Sequence, residues 1–270
     1  KFENVTSLFS CKDKKHLLAE FFYLISNIYS ADQDYKKSNF YLNISYFLNP
    51  NFYFNLSLLA ENYFINENYP SSKKVLEIFS EKDEVYFWFK VKKNTQIFKE
   101  QKKNKEALNY LERNFKKINT PSTKIIFDMA NFYKSFKQYD KAIKLYSDLL
   151  NKVGKDSNSY ADILYRRGGS FERLKKFKKS DEDLLLSLKI KPSDPYVMNY
   201  LAYSWLERGY EIDKALLMLE DAYRQKENDP YIIDSIGWAY FLTKDYKKAE
   251  KYLIQAVQLM PDDPIVNDHY

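Results

Sequence analysis

The stretch 230–263 reads PYIIDSIGWAYFLTKDYKKAEKYLIQAVQLMPDD, and its spacing decides the fold. Ile233, Ile236 and Tyr240 stand three and four residues apart, with Gly237 between the last two. Ala249, Leu253 and Ala256 repeat that spacing, and Pro261 closes the stretch. Residues three and four apart share one face of a helix, so the stretch predicts two amphipathic helices joined by a short turn. Numbered 1–34 from Pro230, it carries large residues at positions 4, 7, 11 and 24 and small ones at 8, 20 and 27. Small residues at 8 and 20 let the two helices of one unit approach closely. The small residue at 27 lets the second helix fit under the next unit, and the large residues fill the space between them.

The same pattern recurs when the frame is stepped towards the N-terminus, as a repeat architecture requires. Residues 195–229 give Met198, Leu201, Ala202, Trp205, Ala215, Leu219 and Ala222; residues 161–194 give Leu164, Gly168, Phe171, Ser180, Leu184 and Ser187. The unit 123–160 gives Ile126, Met129, Ala130, Tyr133, Ala142 and Tyr146, and 88–122 is degenerate, with Val91, Phe98, Ala107 and Leu111. The unit 53–87 gives Leu56, Leu59, Ala60, Tyr63, Leu76 and Phe79, and 19–52 gives Phe22, Ile25, Ser26, Tyr29, Ser38, Leu42 and Ser45. That makes seven units, with the start of an eighth at Pro264. Proline is an independent check, because inside a helix it loses a hydrogen bond and clashes. Pro50, Pro121, Pro192, Pro195, Pro230, Pro261 and Pro264 fall at seams between units, and Pro70 falls at a turn within one. Residues 1–13 lie outside the frame and read as a linker, leaving 14–270 as one repeat array. The last unit opens a helix whose partner is missing, so the expectation is that the natural chain continues past Tyr270.

Composition agrees. Of 270 residues, 45% are hydrophobic and 30% charged, with 25 Tyr and 20 Phe but only 5 Gly and 8 Pro. Collagen-like, disordered and disulfide-rich classes are excluded, and little material is left for the turns of a many-stranded sheet protein. No apolar run is long enough to span a membrane.

The large-x2-large-small-x2-aromatic pattern, followed by Ala-x3-Leu and Pro, resembles the tetratricopeptide repeat (TPR) family. The likeness is strongest over 160–270, through Tyr165-Arg166-Arg167-Gly168, Asn199-Tyr200-Leu201-Ala202-Tyr203-Ser204-Trp205, Asp234-Ser235-Ile236-Gly237-Trp238 and Asn267-Asp268-His269. Over 19–122 it is looser, with Ser or Lys at small positions. The chain resembles the C-terminal half of a long bacterial TPR protein. The resemblance implies an all-α solenoid, a right-handed superhelix of stacked helix-turn-helix hairpins, and a non-enzymatic scaffold or adaptor that binds a protein or peptide. Some proteins of this broad group are exported or lipid-anchored, and some bring substrates to a protease. A periplasmic or envelope-associated setting is thus implied by resemblance alone, and the residues leave the cytoplasm open.

In such a superhelix the concave face is lined by the first helix of each repeat, at positions 2, 5, 9 and 12. That places Glu20, Tyr23, Asn27, Phe54, Glu61 and Phe64 on the early inner face, and Lys92, Gln96, Lys99, Lys124, Phe127, Asn131 and Lys134 on the middle. Asp162, Tyr165, Glu172, Tyr196, Asn199, Tyr203, Tyr231, Asp234, Trp238 and Phe241 follow. Position 5 of the last three units reads Asn199, Asp234, Asp268, a polar ladder flanked by Tyr165, Tyr196, Tyr203, Tyr231 and Trp238. Aromatic rings offer contact area at low rotamer cost, and Asn or Asp can hydrogen-bond an extended peptide. Two readings of this cluster stand open: a partner-binding groove, or rings and polar groups that bridge neighbouring helices. The clamp that some TPR domains close on chaperone C-termini is not expected, because its best local fit (Lys92, Gln96, Asp128, Asp162, Arg166) puts two acids against a carboxylate.

Charge is uneven. The net charge is +6, yet residues 88–194 hold 26 basic and 13 acidic side chains. A basic middle admits an alternative, binding of nucleic acid or an acidic partner. Lys175, Lys176, Lys178 and Lys179, and Lys102, Lys103 and Lys105, sit instead at turns and outer-helix starts, where charge is ordinarily a solvated surface. Catalysis finds no support: His16 and His269 lie at opposite ends of the chain, and one Cys cannot build a zinc site of the usual spacing. Gly168 belongs to the helix frame rather than a phosphate loop. No cofactor or metal is expected. Leu8-Phe9-Ser10-Cys11 lacks the apolar stretch that would make it a lipoprotein cleavage site, and Cys11 reads as a linker cysteine.

Overall fold

The computed structural model describes residues 10–270, and fifteen α-helices account for its regular structure. They run α1 (Lys14–Ala31), α2 (Tyr35–Leu48), α3 (Tyr53–Ile65), α4 (Tyr69–Leu76), α5 (Glu84–Glu100), α6 (Asn104–Phe115), α7 (Thr123–Ser135), α8 (Tyr139–Leu150), α9 (Asn158–Arg173), α10 (Phe177–Ile190), α11 (Pro195–Glu207), α12 (Ile212–Gln225), α13 (Pro230–Leu242), α14 (Tyr246–Leu259) and α15 (Pro264–His269). Consecutive helices pair as antiparallel hairpins, as the repeat pattern predicts, and each hairpin packs on the next within its unit. Two units are separately compact, one ending at Thr120 with α1–α6 and one spanning Pro121–Tyr270 with α7–α15. The expected linker 1–13 lies outside the described residues up to residue 9, as do Leu8 and Phe9; Cys11 is exposed. Helices α1, α5 and α9 begin at 14, 84 and 158, a few residues ahead of the first positions expected at 19, 88 and 161.

Each hairpin turn is closed the same way. The second residue after the first helix takes a left-handed φ near +60°: Gln33, Glu67, Lys102, Lys137, Lys175, Gly209 and Lys244. The amide of the next residue then reaches back to the last turn, as in Asp34 N to Tyr29 O (2.9 Å), Gln138 N to Tyr133 O (2.8 Å) and Asp245 N to Tyr240 O (2.9 Å). This bond satisfies a helix-terminal carbonyl that would otherwise be orphaned. Only one of the seven turns uses glycine. The scarcity of Gly therefore does not spare the chain left-handed turns; Gln, Glu and Lys adopt them at a cost of about 1 kcal/mol each.

Asp-Pro pairs open three of the helices of the second unit, α11, α13 and α15. Asp194 caps Tyr196 N and Val197 N, Asp229 caps Tyr231 N and Ile232 N, and Asp263 caps Ile265 N and Val266 N, each with proline in the first turn. Proline at that point forfeits no hydrogen bond.

The small positions are closed to solvent. Ser26, Ala60, Thr95, Ala130 and Ala202 at position 8 are all fully buried. A Cβ built on Gly237 would stand 2.8 Å from Leu253 Cδ2, and one on Gly168 would stand 3.0 Å from Leu184 Cγ, so both mark the closest helix approaches. At four of the five small positions where Ser replaces Ala on a second helix, its hydroxyl bonds a first-helix carbonyl; the buried Ser180 hydroxyl has no such partner. Ser38 donates to Ser26 O (2.9 Å), Ser72 to Ala60 O (2.9 Å), Ser45 to Ala19 O (2.7 Å) and Ser187 to Ala161 O (2.9 Å). These bonds explain why serine is tolerated at buried small positions. In the second unit the apolar core runs from hairpin to hairpin, with Leu184, Leu201, Trp205, Leu219, Ile236 and Tyr240 in one buried cluster.

Candidate functional site

The inner helices of the second unit, α7, α9, α11, α13 and α15, carry most of the expected groove residues. The C-terminal part is organised around His269. Its Nδ1 lies 2.8 and 3.0 Å from the two carboxylate oxygens of Asp234, and its Nε2 lies 3.5 Å from the Tyr203 hydroxyl. The imidazole stacks on Trp238 with centroids 4.5 Å apart, and Trp238 stacks in turn on Phe241. The side chains of Asp234 and His269 are both buried. Trp238 Nε1 donates to Glu207 Oε1 at 3.2 Å. Burial, with Glu207 and Asp234 adding to it, pushes the Tyr203 phenol up to about 12. Asp234, Tyr203 and Trp238 thus brace α15 against α13 and α11.

Of the expected ladder, Asp234 is engaged in this way. Asp268 is exposed to solvent, and the neighbouring His269 is the residue that reaches Asp234. Asn199 stands apart from both. Its Oδ1 is buried and has no hydrogen-bond partner, and it lines a cleft of about 150 Å³ with Tyr200, Tyr203, Tyr231, Asp234 and Ile265. Tyr196 and Tyr231 expose about half of their surface (49% and 58%) along this helix face. Tyr165 is half-buried and meets Tyr200 edge-on at 5.8 Å. The Tyr200 hydroxyl donates to Glu172 Oε2 at 3.0 Å, and burial, first of all, raises its pKa.

Further along the same face, Lys134 of α7 places its Nζ 5.9 Å from the Tyr165 ring centroid. Burial, then the nearby Arg166 and Arg173, lower its pKa to about 8, with Glu172 opposing. Arg166 lies over Phe127, with its guanidinium carbon 5.3 Å from the ring centroid, and its Nε is buried without a partner. Phe127 and Lys124 line a second cleft, of about 240 Å³, with Leu149, Asp162 and Ile163.

In the first unit the inner-face acid Glu61 is neutralised. Lys93 Nζ lies 2.6 Å from its carboxylate and 4.2 Å from the Phe64 ring centroid. Tyr23 packs edge-on against Phe52. The turn lysines Lys102, Lys103, Lys105, Lys175, Lys176, Lys178 and Lys179 are all exposed, as a solvated surface requires. Among the described residues no group of three or more His, Cys, Asp and Glu could hold a metal, and no helix is long and apolar enough to cross a membrane.

Sequence reasoning did not single out His269, which bonds Asp234 and stacks on Trp238. The signal was present: Asp234 and Trp238 are four apart on one helix, and a histidine can bond the first while stacking on the second.

Residues 232–263 match the family model for the tetratricopeptide repeat. A TPR repeat-containing protein of Pseudomonas aeruginosa is 27% identical over 128 residues, which cover 47% of this chain and 21% of that protein. The chain therefore spans about a fifth of the length of that curated relative. Among solved structures, pilF of Pseudomonas aeruginosa aligns over 94% of this chain and 97% of its own, at 11% identity and a TM-score of 0.53. BtubC from P. vanneervenii aligns over 70% of this chain and 87% of its own, at 17% identity and a TM-score of 0.54. At these identities the likeness is one of fold.

Proposed function

We propose that the chain is a tetratricopeptide-repeat protein throughout and serves as a protein-interaction scaffold whose second unit holds an extended peptide segment of its partner. The segment lies along the inner face of α9, α11 and α13, against Tyr196, Asn199, Tyr203 and Tyr231. The observation that carries this reading is the Asn199 amide. A buried acceptor without a donor costs about 1–3 kcal/mol, and an incoming peptide N–H removes that cost. The flanking Tyr196 and Tyr231 rings supply apolar area and hydroxyl groups at the rim. Asp234, Trp238 and Tyr165 serve the same groove as its wall: they hold the helices on which the contact residues stand. Tetratricopeptide repeats generally mediate contacts between proteins, which supports a binding role for this face.

The test is a selection from a random peptide library on the immobilised chain. Recovered peptides should bind Asn199→Ala/Tyr231→Ala at least about tenfold more weakly, with helicity unchanged. Binding indifferent to both substitutions would place the site elsewhere.

A further inference from the structure

We propose that the first hairpin carries a self-association surface, on which α1 of one copy of the chain packs antiparallel against α1 of a second copy. The surface belongs to the first unit and shares no residue with the groove proposed in the second.

Large apolar side chains crowd the outside of this hairpin. Leu17, Phe21, Leu24 and Ile28 of α1 are exposed by 44–64%, and Phe40 and Phe47 of α2 by 61% and 83%. The four on α1 stand four, three and four residues apart, the spacing of a seam that meets another helix. They lie opposite the buried Ala19 and Ser26, which face the interior of the hairpin. Ring contacts carry the face across to α2. Phe21 meets Phe22 at 5.6 Å, Phe22 stacks on Tyr41 at 5.9 Å, and Tyr41 meets Phe40 edge-on at 5.3 Å. The exposed apolar area is on the order of 600 Å², as large as any patch a monomer ordinarily shows. Two copies would bury about 1,200 Å² between them, the lower end of the range for specific interfaces.

Phe21, Leu24 and Ile28 hold positions 3, 6 and 10 of their repeat, and later hairpins show what those positions meet. Asn55 and Asn62, at positions 3 and 10 of the next repeat, are buried against α2: Asn55 Nδ2 donates to Ser45 Oγ (3.3 Å) and Asn62 Nδ2 to Ser38 Oγ (2.7 Å). Ile232, at position 3 of its repeat, packs on Met198 and Ala222 of the hairpin before it. This side of a first helix is thus shaped to receive a helix. On α1 the asparagines are replaced by large apolar residues, and the stripe runs a turn further, to Leu17, ahead of the repeat frame. The cover it fits is an apolar helical seam of equal length, and α1 is itself such a seam. In an antiparallel pair, Leu17 of one copy comes level with Ile28 of the other, and Phe21 with Leu24. Lys14, exposed at the start of α1, then falls beside Asp32, exposed at its end, and two-fold symmetry makes that contact twice. Glu20 falls near Asn27. A parallel pair would instead set Lys14 on Lys14 and Glu20 on Glu20, so charge selects the antiparallel register.

Sedimentation velocity at low salt, over a wide range of protein concentration, tests the proposal. The wild-type chain should pass from monomer to dimer as concentration rises. Leu24→Glu changes a side chain that is exposed in the monomer, and should raise the dimer dissociation constant at least about tenfold with helicity by circular dichroism unchanged. Lys14→Glu and Asp32→Lys should each weaken the dimer. The double variant Lys14→Glu/Asp32→Lys should recover it, because opposite charges meet again at both ends. Each reversal suits the dipole of α1, so neither disturbs the helix. A chain that stays monomeric at every concentration would overturn the proposal, and so would one that binds anionic lipid vesicles through this face in place of a second copy. A dimer indifferent to Leu24→Glu would place the contact elsewhere. A dimer weakened by Leu24→Glu whose charge variants are not rescued by the double substitution would overturn the antiparallel register.

Discussion

Replacing Lys134 by Met should make the protein more stable. The side chain runs inward from the last turn of α7, and burial holds its ammonium at a pKa of about 8 against an ordinary 10.5. That difference corresponds to a penalty of about 3 kcal/mol carried by the folded state at pH 7. Methionine keeps the length and apolar character of the stem and removes the charge. The variant should therefore gain about 2–3 kcal/mol at pH 7, a large increment for a domain of this size. The sign of the pH dependence follows from the lowered value. Between about 8 and 10.5 the unfolded chain holds a proton at Lys134 that the folded chain has released, so wild-type stability rises through that window. The advantage of the variant should shrink by about half between pH 7 and pH 9.5. The groups that set the effect are Arg166, Arg173, Glu172, Tyr165 and Tyr200, which face Lys134 from α9 and α11. The assay is urea denaturation of both proteins across that pH range, followed by tryptophan fluorescence, since Trp205 and Trp238 both lie in the second unit. A less stable variant, or an advantage independent of pH, would show that Lys134 is satisfied in the native state.

Three other outcomes follow from the same contacts. Gly237→Ala should cost about 1–2 kcal/mol despite alanine's better helix propensity, because its Cβ would meet Leu253 Cγ at 2.9 Å and Leu253 N at 3.2 Å; Leu253→Val in the same chain should restore part of the loss in a thermal melt. Lys137→Gly should stabilise by about 0.5–1 kcal/mol, since its φ of 59° is free of strain for glycine, and a lower denaturation midpoint would contradict that. His269→Ala should leave the Asp234 carboxylate buried without its partner, cost about 1–3 kcal/mol and speed amide exchange across α15; unchanged protection of 264–269 would show that His269 does not hold that helix.

The fold was legible because hairpin stacking repeats its steric demands every 34 residues or so. Gly168, Gly237 and the alanines at position 8 announce close helix approach, and the prolines mark the seams. The site was legible only as a face. Positions 2, 5, 9 and 12 put Lys134, Asn199, Tyr203 and Asp234 on one side of their helices, since helical geometry fixes which residues share a side. What those side chains do to one another depends on distances across several helices, which spacing does not encode. Asp268 and His269 are adjacent in sequence but about 100° apart around the helix, so a one-residue difference in register decides which reaches Asp234. The lack of a partner for Lys134 is likewise invisible in sequence, where acidic residues such as Asp128 and Asp140 stand nearby in number. Serine at buried small positions weakened the pattern in the first unit, and the carbonyl each hydroxyl bonds became apparent only from the packed helices.

The central claim is that a peptide occupies the inner face of the second unit. The most direct measurement is an NMR titration of the chain with a library-selected peptide, read residue by residue. The account predicts the largest shifts at Tyr196, Asn199, Tyr203 and Tyr231. Shifts concentrated on the outer helices α10, α12 and α14 would contradict it.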